Sequence, residues 1–273
     1  MGRISTAKQV FRTKGAAGVL SVVSQQYLGD WLGRQVSWCY GKMIELRGNI
    51  VRIDGCTFSL DSPVITTESK SKFLFGQYER PEREALRRFL DPDLPVVEFG
   101  GSIGVVSCLT NRKLLDPKRH VVVEASPALV PLLKTNRDQN HCDFDVLACM
   151  VGYGSERGTF YLNKSNFVAS SAVAGEVNNG NEVLEVPTID LRSILDQYQF
   201  ARCTLICDIE GGESDLLRYE HETIRERVAT LILEVHPWSL GEERVAEMFR
   251  EIKELGFQML YSEADTYAFK NDF

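Results

Sequence analysis

A chain of 273 residues, 44% hydrophobic and 10% aromatic, is long enough to bury one large core with a small appended lobe. Its formal charge of −7 argues against a general nucleic-acid binder, and no apolar run has the length of a membrane span or the pattern of a signal peptide, so a cytoplasmic protein is expected. The seven cysteines are odd in number and lack close paired spacing, which fits a reduced compartment and speaks against a zinc site.

Residues 1–47 hold seven Lys/Arg against two acids, a balance of +5 that leaves −12 on the remainder. Leu20, Val23, Tyr27, Trp31 and Trp38 recur there at roughly helical spacing, which predicts a basic amphipathic helix. One reading is a contact with a membrane surface or a lipid-linked substrate. The preferred one is packing on the chain's own domain or on a second subunit of a homo-oligomer, since such stripes usually face a core. Two alternating runs flank Asp54-Gly55 between Ile50 and Leu60, a hairpin signal. A helix is predicted through Leu86, Phe89 and Leu90, stopped by Asp91-Pro92. Residues 1–90 thus read as an N-terminal extension of helices and a hairpin, and residues 91–273 as the main domain.

From Pro95 onward strand and helix alternate. Strands are predicted at 95–99, 120–124, 144–150, 203–208 and 229–235; helices at 104–113, 127–138, 190–198, 213–220 and 242–255. Two further runs, 257–261 and 266–269, make a final hairpin pair. Cys203 and Cys207 fall on a strand pattern and read as packing residues. Helices between apolar strands imply an α/β fold with a doubly wound, mostly parallel sheet and ligands at the carboxyl ends of its strands. Residues 158–187 interrupt this alternation as a hairpin over the site. Its polar stretch 163–182 is expected to be mobile or ordered by substrate.

Two stretches carry most of the chemistry. Val96-Val97-Glu98-Phe99-Gly100-Gly101-Ser102-Ile103-Gly104 reads as a buried strand, a glycine loop and a helix start. Val121-Val122-Val123-Glu124-Ala125-Ser126-Pro127 is a strand ending on a carboxylate, with Ser126 placed to cap the next helix. Glu124 lies twenty residues past Gly104, where a nucleoside-binding unit needs an acid for the ribose hydroxyls. A dinucleotide loop receives a pyrophosphate, which Glu98 would repel. S-adenosylmethionine offers a sulfonium and an ammonium instead, so the pair Glu98 and Glu124 favours a methyl donor over NAD. Further on, Asp208-Ile209-Glu210-Gly211-Gly212-Glu213 and Glu234-Val235-His236 each follow an apolar strand. Acids at such strand ends are costly unless something cationic or proton-bearing meets them. Glu213 reads as a first-turn helix acid. Asp208, Glu210 and His236 are the catalytic candidates.

The order Glu-Phe-Gly-Gly-Ser-Ile-Gly, Val-Glu-Ala-Ser-Pro, Leu-Leu-Lys-Thr-Asn, Asp-Ile-Glu-Gly-Gly-Glu and Leu-Glu-Val-His resembles the FkbM family of class I S-adenosylmethionine-dependent methyltransferases over roughly residues 75–270. The Asp-Ile-Glu-Gly-Gly-Glu stretch is the most specific part. Ser102 stands for the middle glycine of the usual loop, and Glu98 and Glu124-Ala125 depart conservatively from the family's pattern. The resemblance implies a Rossmann-like, seven-stranded domain and O-methylation of a sugar, glycan or other hydroxylated metabolite. It also implies donor binding by Glu98, Gly100, Gly101, Ser102, Gly104, Glu124, Ala125 and Ser126. Gly100, Gly101 and Gly104 would let the backbone approach the donor, Glu124 would hold the ribose, and Glu98 would support the methionine end. Asp208, Glu210 or His236 would take the acceptor's proton, with Tyr78 and Glu79 next in line. Alternatively, Asp208, Glu210, Glu234 and His236 would hold a divalent cation such as magnesium; the base reading is put first, with no metal assigned. An NAD-type oxidoreductase and a non-catalytic nucleoside-binding lobe are the competing readings. Phe99 stands where Gly-x-Gly-x-x-Gly needs its first glycine.

Overall fold

The computed structural model describes residues 35–76, 78–162 and 182–271. Leu20, Val23, Tyr27, Trp31 and residues 163–181 of the loop expected over 163–182 lie outside the described residues. No described helix is long and apolar enough to cross a membrane.

The described chain begins with a helical segment over residues 35–46 (α1), on which Trp38 is exposed. The hairpin β1 (Ile50–Ile53) and β2 (Cys56–Ser59) follows, turning at Asp54 and Gly55 with φ 46° and 82°. Two positive φ values in a two-residue loop are what a type I′ turn requires. A short helix α2 (Thr67–Lys70), a 3-10 segment (Ser71–Gly76) and α3 (Arg80–Phe89) lead into the main sheet. Its first half alternates β3 (Val96–Phe99), α4 (Val105–Asn111), β4 (His120–Val123), α5 (Val130–Gln139) and β5 (Asp145–Leu147). Three strands, β6 (Met150–Val151), β7 (Arg157–Leu162) and β8 (Glu182–Ile189), then form a small separate sheet. The second half runs α6 (Leu191–Gln197), β9 (Cys203–Cys207), α7 (Glu213–Arg227), β10 (Val228–Glu234), α8 (Pro237–Leu240), α9 (Glu242–Glu254), β11 (Phe257–Glu263) and β12 (Thr266–Asn271).

The seven-stranded sheet has the order β11-β12-β10-β9-β3-β4-β5. Strands β10, β9, β3, β4 and β5 are parallel, and β12 runs antiparallel between β10 and β11. Every residue of β3, β4 and β9 is buried, as strands covered on both faces must be. Cys203 and Cys207 are packing residues here, and all seven cysteines are free. From β3 the chain winds outward to β4 and β5; from β9 it winds the other way to β10. The strand order therefore reverses between β3 and β9, and the crevice beyond their carboxyl ends is where such sheets bind ligands.

The expected extension shares its core with this sheet. Ile44, Ile53 and Phe58 pack in one cluster with Ile103, Leu133 and Phe144. Asn136 and Asn140 of α5 accept the β2 amides of Ser59 and Thr57, each at 2.8 Å. Buried Arg83 of α3 donates to the Tyr78 carbonyl at 3.0 Å and to Asp54 of the hairpin turn at 2.7 Å.

Three boundaries differ from the sequence reading. The strand expected over 144–150 breaks after Leu147, where Cys149 N donates to the Leu147 carbonyl and the chain leaves the sheet for β6. Helix α7 runs to Arg227 rather than ending at 220. Its buried face continues through Glu220, Thr223 and Ile224 although two of these are polar. Glu220 is satisfied there by the amides of Leu191 and Arg192 at the start of α6. Ser126 does not cap α5: the helix starts at Val130, and Ser126 supplies only its carbonyl to the preceding turn.

Candidate active site

A cleft of about 760 Å³ opens at the carboxyl edge of the sheet, across the ends of β9, β3, β4 and β5. Its lining changes character along the edge. Toward β5 and the small sheet it is apolar, with Leu129, Met150, Val151 and Phe160; toward β9 it is acidic, with Glu79, Asp208 and Glu210. The glycine loop and Glu124 lie between.

Of the expected donor-binding residues, Gly100, Ser102, Glu124, Ala125 and Ser126 line this cleft. The Glu124 carboxylate, 6% exposed, accepts the amides of Ser102 and Ser126, each at 2.7 Å. Burial pushes its carboxyl up to about 7 even though both amides favour the ionised form. Each oxygen keeps a lone pair for a further donor. Ser102 holds φ 47°, and its hydroxyl lies 3.2 Å from that of Tyr78, which stacks on Phe73. The Ser126 hydroxyl is buried and has no hydrogen-bond partner among the described residues.

The other three expected donor residues do different work. Glu98 is 1% exposed and does not line the cleft. Its carboxylate takes the Ser107 hydroxyl at 2.5 Å and faces His120 Nε2 at 3.2 Å. These contacts hold it beneath the loop, at the wall of an adjoining cavity rather than of the cleft itself. A Cβ on Gly101 would come within 2.4 Å of Val122, and one on Gly104 within 2.7 Å of Leu133. These two glycines therefore let the loop pack on the neighbouring strand β4 and on α5. Gly100 has φ 92°, and a Cβ there would stand 1.8 Å from the Asp208 carbonyl oxygen. It allows β3 and β9 to end side by side at the cleft.

The three catalytic candidates do come together. His236 Nε2 lies 3.5 Å from both Asp208 Oδ1 and Glu210 Oε2, while Nδ1 lies 3.0 Å from Glu213 Oε1. Glu213 is fully buried at the first position of α7, and it also accepts the amides of Ile209 and Gly211. It is thus more than a helix-dipole acid: it fixes the loop and the imidazole together. Burial by itself would lower His236, but Glu213, Asp208 and Glu210 outweigh it and hold the ring up at about 9. Burial raises Asp208 to about 7 and Glu210 to about 8, with the positive His236 opposing the rise in both. Both carboxyls sit close to the range in which a general base works. Glu210 holds φ 52°, so strained non-glycine backbone occurs on both loops of the cleft.

Two residues contribute that strand-end reasoning overlooked or ranked behind others. Glu79, at φ 48° before α3, lines the cleft, and Glu82 follows on the first turn of that helix. With Glu98, Asp208 and Glu234 they border a smaller adjoining cavity of about 320 Å³. Burial drives the Glu79 carboxyl well above its ordinary value, and burial with the neighbouring Asp208 and Glu82 pushes Glu234 up to about 12. The signal for Glu82 would have been two acids bracketing Arg80-Pro81 ahead of a helix, which is also an ordinary helix start.

No curated protein is similar enough in sequence to match the chain. Among solved structures, an rRNA methylase from Streptococcus thermophilus is 11% identical, with 70% of this chain and 96% of that one covered at a TM-score of 0.41. A precorrin-6y C5,15-methyltransferase from Geobacter metallireducens is 10% identical, with 72% and 88% covered at 0.39. Aeropyrum pernix fibrillarin, solved with natively bound S-adenosyl-L-methionine, is 8% identical, with 67% and 68% covered at 0.37. Likenesses this slight transfer no residue role. The sequence match is of another order: the methyltransferase FkbM domain model covers residues 98–259, from the glycine loop through both acidic strand ends into β11, and the chain belongs to that methyltransferase family.

Proposed function

We propose that this chain transfers a methyl group from S-adenosylmethionine to a hydroxyl oxygen of a sugar, glycan or glycosylated metabolite. The observation that carries the proposal is the single cleft joining a buried, amide-held Glu124 to the carboxylates of Asp208 and Glu210. The donor fits the polarity of that cleft. Leu129, Met150 and Phe160 offer an apolar berth for an adenine, and the unpartnered Ser126 hydroxyl offers it a polar contact. Glu124 has lone pairs for two ribose hydroxyls, and the acidic end suits a sulfonium and an ammonium. Pyrophosphate has no comparable place, because the same end carries Glu79, Asp208 and Glu210.

S-adenosylmethionine supplies an activated methyl carbon. The chain aligns an acceptor oxygen on that carbon and receives the proton the hydroxyl loses. As the new carbon–oxygen bond forms, the carbon–sulfur bond breaks and its electron pair stays on sulfur. The proton passes to Asp208 or Glu210. Carboxylates also hydrogen-bond well to neighbouring hydroxyls, as a polyhydroxylated acceptor requires.

Calorimetry with S-adenosylhomocysteine and NAD tests the donor assignment. Binding of the first and not the second is expected; the reverse would return the oxidoreductase reading. Labelled methyl transfer to a panel of glycans, glycosylated metabolites, amines and thiols tests the acceptor. Label in an ether-linked methyl is expected, and label confined to nitrogen or sulfur would remove the hydroxyl assignment. Donor binding with no transfer to any acceptor would favour the non-catalytic lobe.

A further inference from the structure

We infer that the acidic end of the cleft is a divalent-cation site, with Asp208, Glu234 and His236 as ligands and Glu82 completing the oxygen cage. Among the described residues, these three are the group whose ligand atoms converge: one from each lies within 4.8 Å of the other two. Two atoms bound at about 2.1 Å to one ion lie at most about 4.2 Å apart. Neighbouring ligands at right angles lie about 3.0 Å apart, so side-chain movements of up to about 1–2 Å close the set.

Acids alone would not make this a site, but two independent features do. The first is orphaned oxygen. Glu82 is 6% exposed, and the Thr266 hydroxyl fixes its Oε1 at 2.9 Å. Its Oε2 is buried in the wall of the cavity that Asp208 and Glu234 also line, and the group it meets there is the Glu234 carboxyl, so the pair needs a shared proton or a cation between them. In the same wall, Asp208 Oδ1 faces His236 Nε2 at 3.5 Å, beyond an ordinary hydrogen bond, and Glu79 Oε2 has no hydrogen bond of ordinary geometry among the described residues. Among the described residues, no lysine or arginine lines that cavity. Buried acceptors cost free energy unless a donor or a cation satisfies them.

The second feature is the histidine. Glu213 engages His236 Nδ1 at 3.0 Å, which directs Nε2 toward Asp208. A buried carboxylate that fixes one ring nitrogen so that the other faces carboxylate oxygens is the usual support of a metal-ligating histidine. Carboxylate oxygens with a single imidazole suit a hard divalent ion of the magnesium or manganese type, with water in the remaining positions. The two cavities share Glu79, Gly100 and Asp208, so the ion borders the cleft. Its catalytic use, though not its binding, rests on the methyl-transfer reading above: an acceptor hydroxyl in its coordination shell would ionise more readily beside Glu210.

Manganese is the probe, titrated into the full chain by calorimetry and by the loss of its free paramagnetic signal, with and without S-adenosylhomocysteine. One ion per chain is expected with a dissociation constant below about 100 μM, and Glu234→Gln should weaken it at least tenfold. Glu82→Gln, farther from the imidazole, should weaken it less while S-adenosylhomocysteine affinity stays within threefold of wild type. Competition of magnesium against manganese on the unmodified protein keeps the test open if either variant fails to fold. No binding at millimolar manganese overturns the proposal, as does equal affinity in wild type and Glu234→Gln. Loss of manganese binding when S-adenosylhomocysteine is added also overturns it, because the donor would then be what fills the acidic end. Methyl transfer that survives exhaustive chelation removes the ion's catalytic use and leaves the methyltransferase reading standing. Manganese binding without S-adenosylhomocysteine binding removes the donor assignment and leaves the ion site.

Discussion

At the β4 end of the cleft, both oxygens of Glu124 accept backbone amides at 2.7 Å; at the β9–β10 end and in its side cavity, carboxyl oxygens of Glu79, Glu82 and Asp208 are buried without a hydrogen bond of ordinary geometry among the described residues. The same residue type is treated in opposite ways within one cleft. The first arrangement is complete before anything binds, so it holds a fixed geometry for a ligand that is always the same. The second is incomplete by several hydrogen bonds and gains its stability from what arrives. One end is a mould, and the other is an unbalanced charge cluster.

The comparison breaks most visibly at Asp208. Asp208→Asn keeps the side chain's shape and should lower turnover on the order of 10²-fold or more, with S-adenosylhomocysteine affinity nearly unchanged. A parallel loss of affinity by calorimetry would mean that the two ends are not separate. Gly100→Ala tests the seam between them. The new Cβ stands 1.8 Å from a backbone oxygen at φ 92°, so thermal unfolding should show a loss on the order of 3 kcal/mol. An unchanged melting temperature would mean that β3 and β9 part easily.

A smaller effect is expected at Glu124. Removing its charge-assisted contacts in Glu124→Ala should weaken S-adenosylhomocysteine binding by roughly 10- to 100-fold. Glu124→Gln adds a test of sign. The folded carboxyl ionises near 7 against 4.5 as its ordinary value, so the native state keeps its proton longer than the unfolded chain. Wild type should lose stability relative to Glu124→Gln as pH rises from about 4.5 through about 7. A gap that stays constant with pH would show the carboxylate to be fully compensated by its amides. The smallest effect belongs to Asp54→Asn. Asp54 is substantially exposed where it meets Arg83, so unfolding should shift by no more than about 1 kcal/mol. A larger shift would make the hairpin turn a structural anchor of the cleft.

The mould was far more legible in the sequence than the cluster. Apolar runs ending in Gly100-Gly101 and in Glu124 announced β3, β4 and the loop between them, because backbone chemistry at a strand end leaves few alternatives. The Asp54-Gly55 hairpin was visible for the same reason. The surroundings of Glu98 were not legible: only the fold shows Ser107 and His120 holding it beneath the loop at the wall of the side cavity. The break after Leu147 was hidden because Ala148-Cys149 contains neither glycine nor proline, while the turn there is made by one amide. Asp208, Glu210 and His236 could be chosen by their places at strand ends. Glu82 could not, since its neighbours Thr266 and Glu234 are far along the chain and nothing local distinguishes it from a helix-start acid.

The placement of α3 sets how far the site extends along the chain. The matched family region begins at residue 98, yet Tyr78, Glu79 and Glu82 reach the cleft and its side cavity from upstream of it. A fragment cut at residue 98 would keep Glu124 and its loop and lose three residues from the acidic walls.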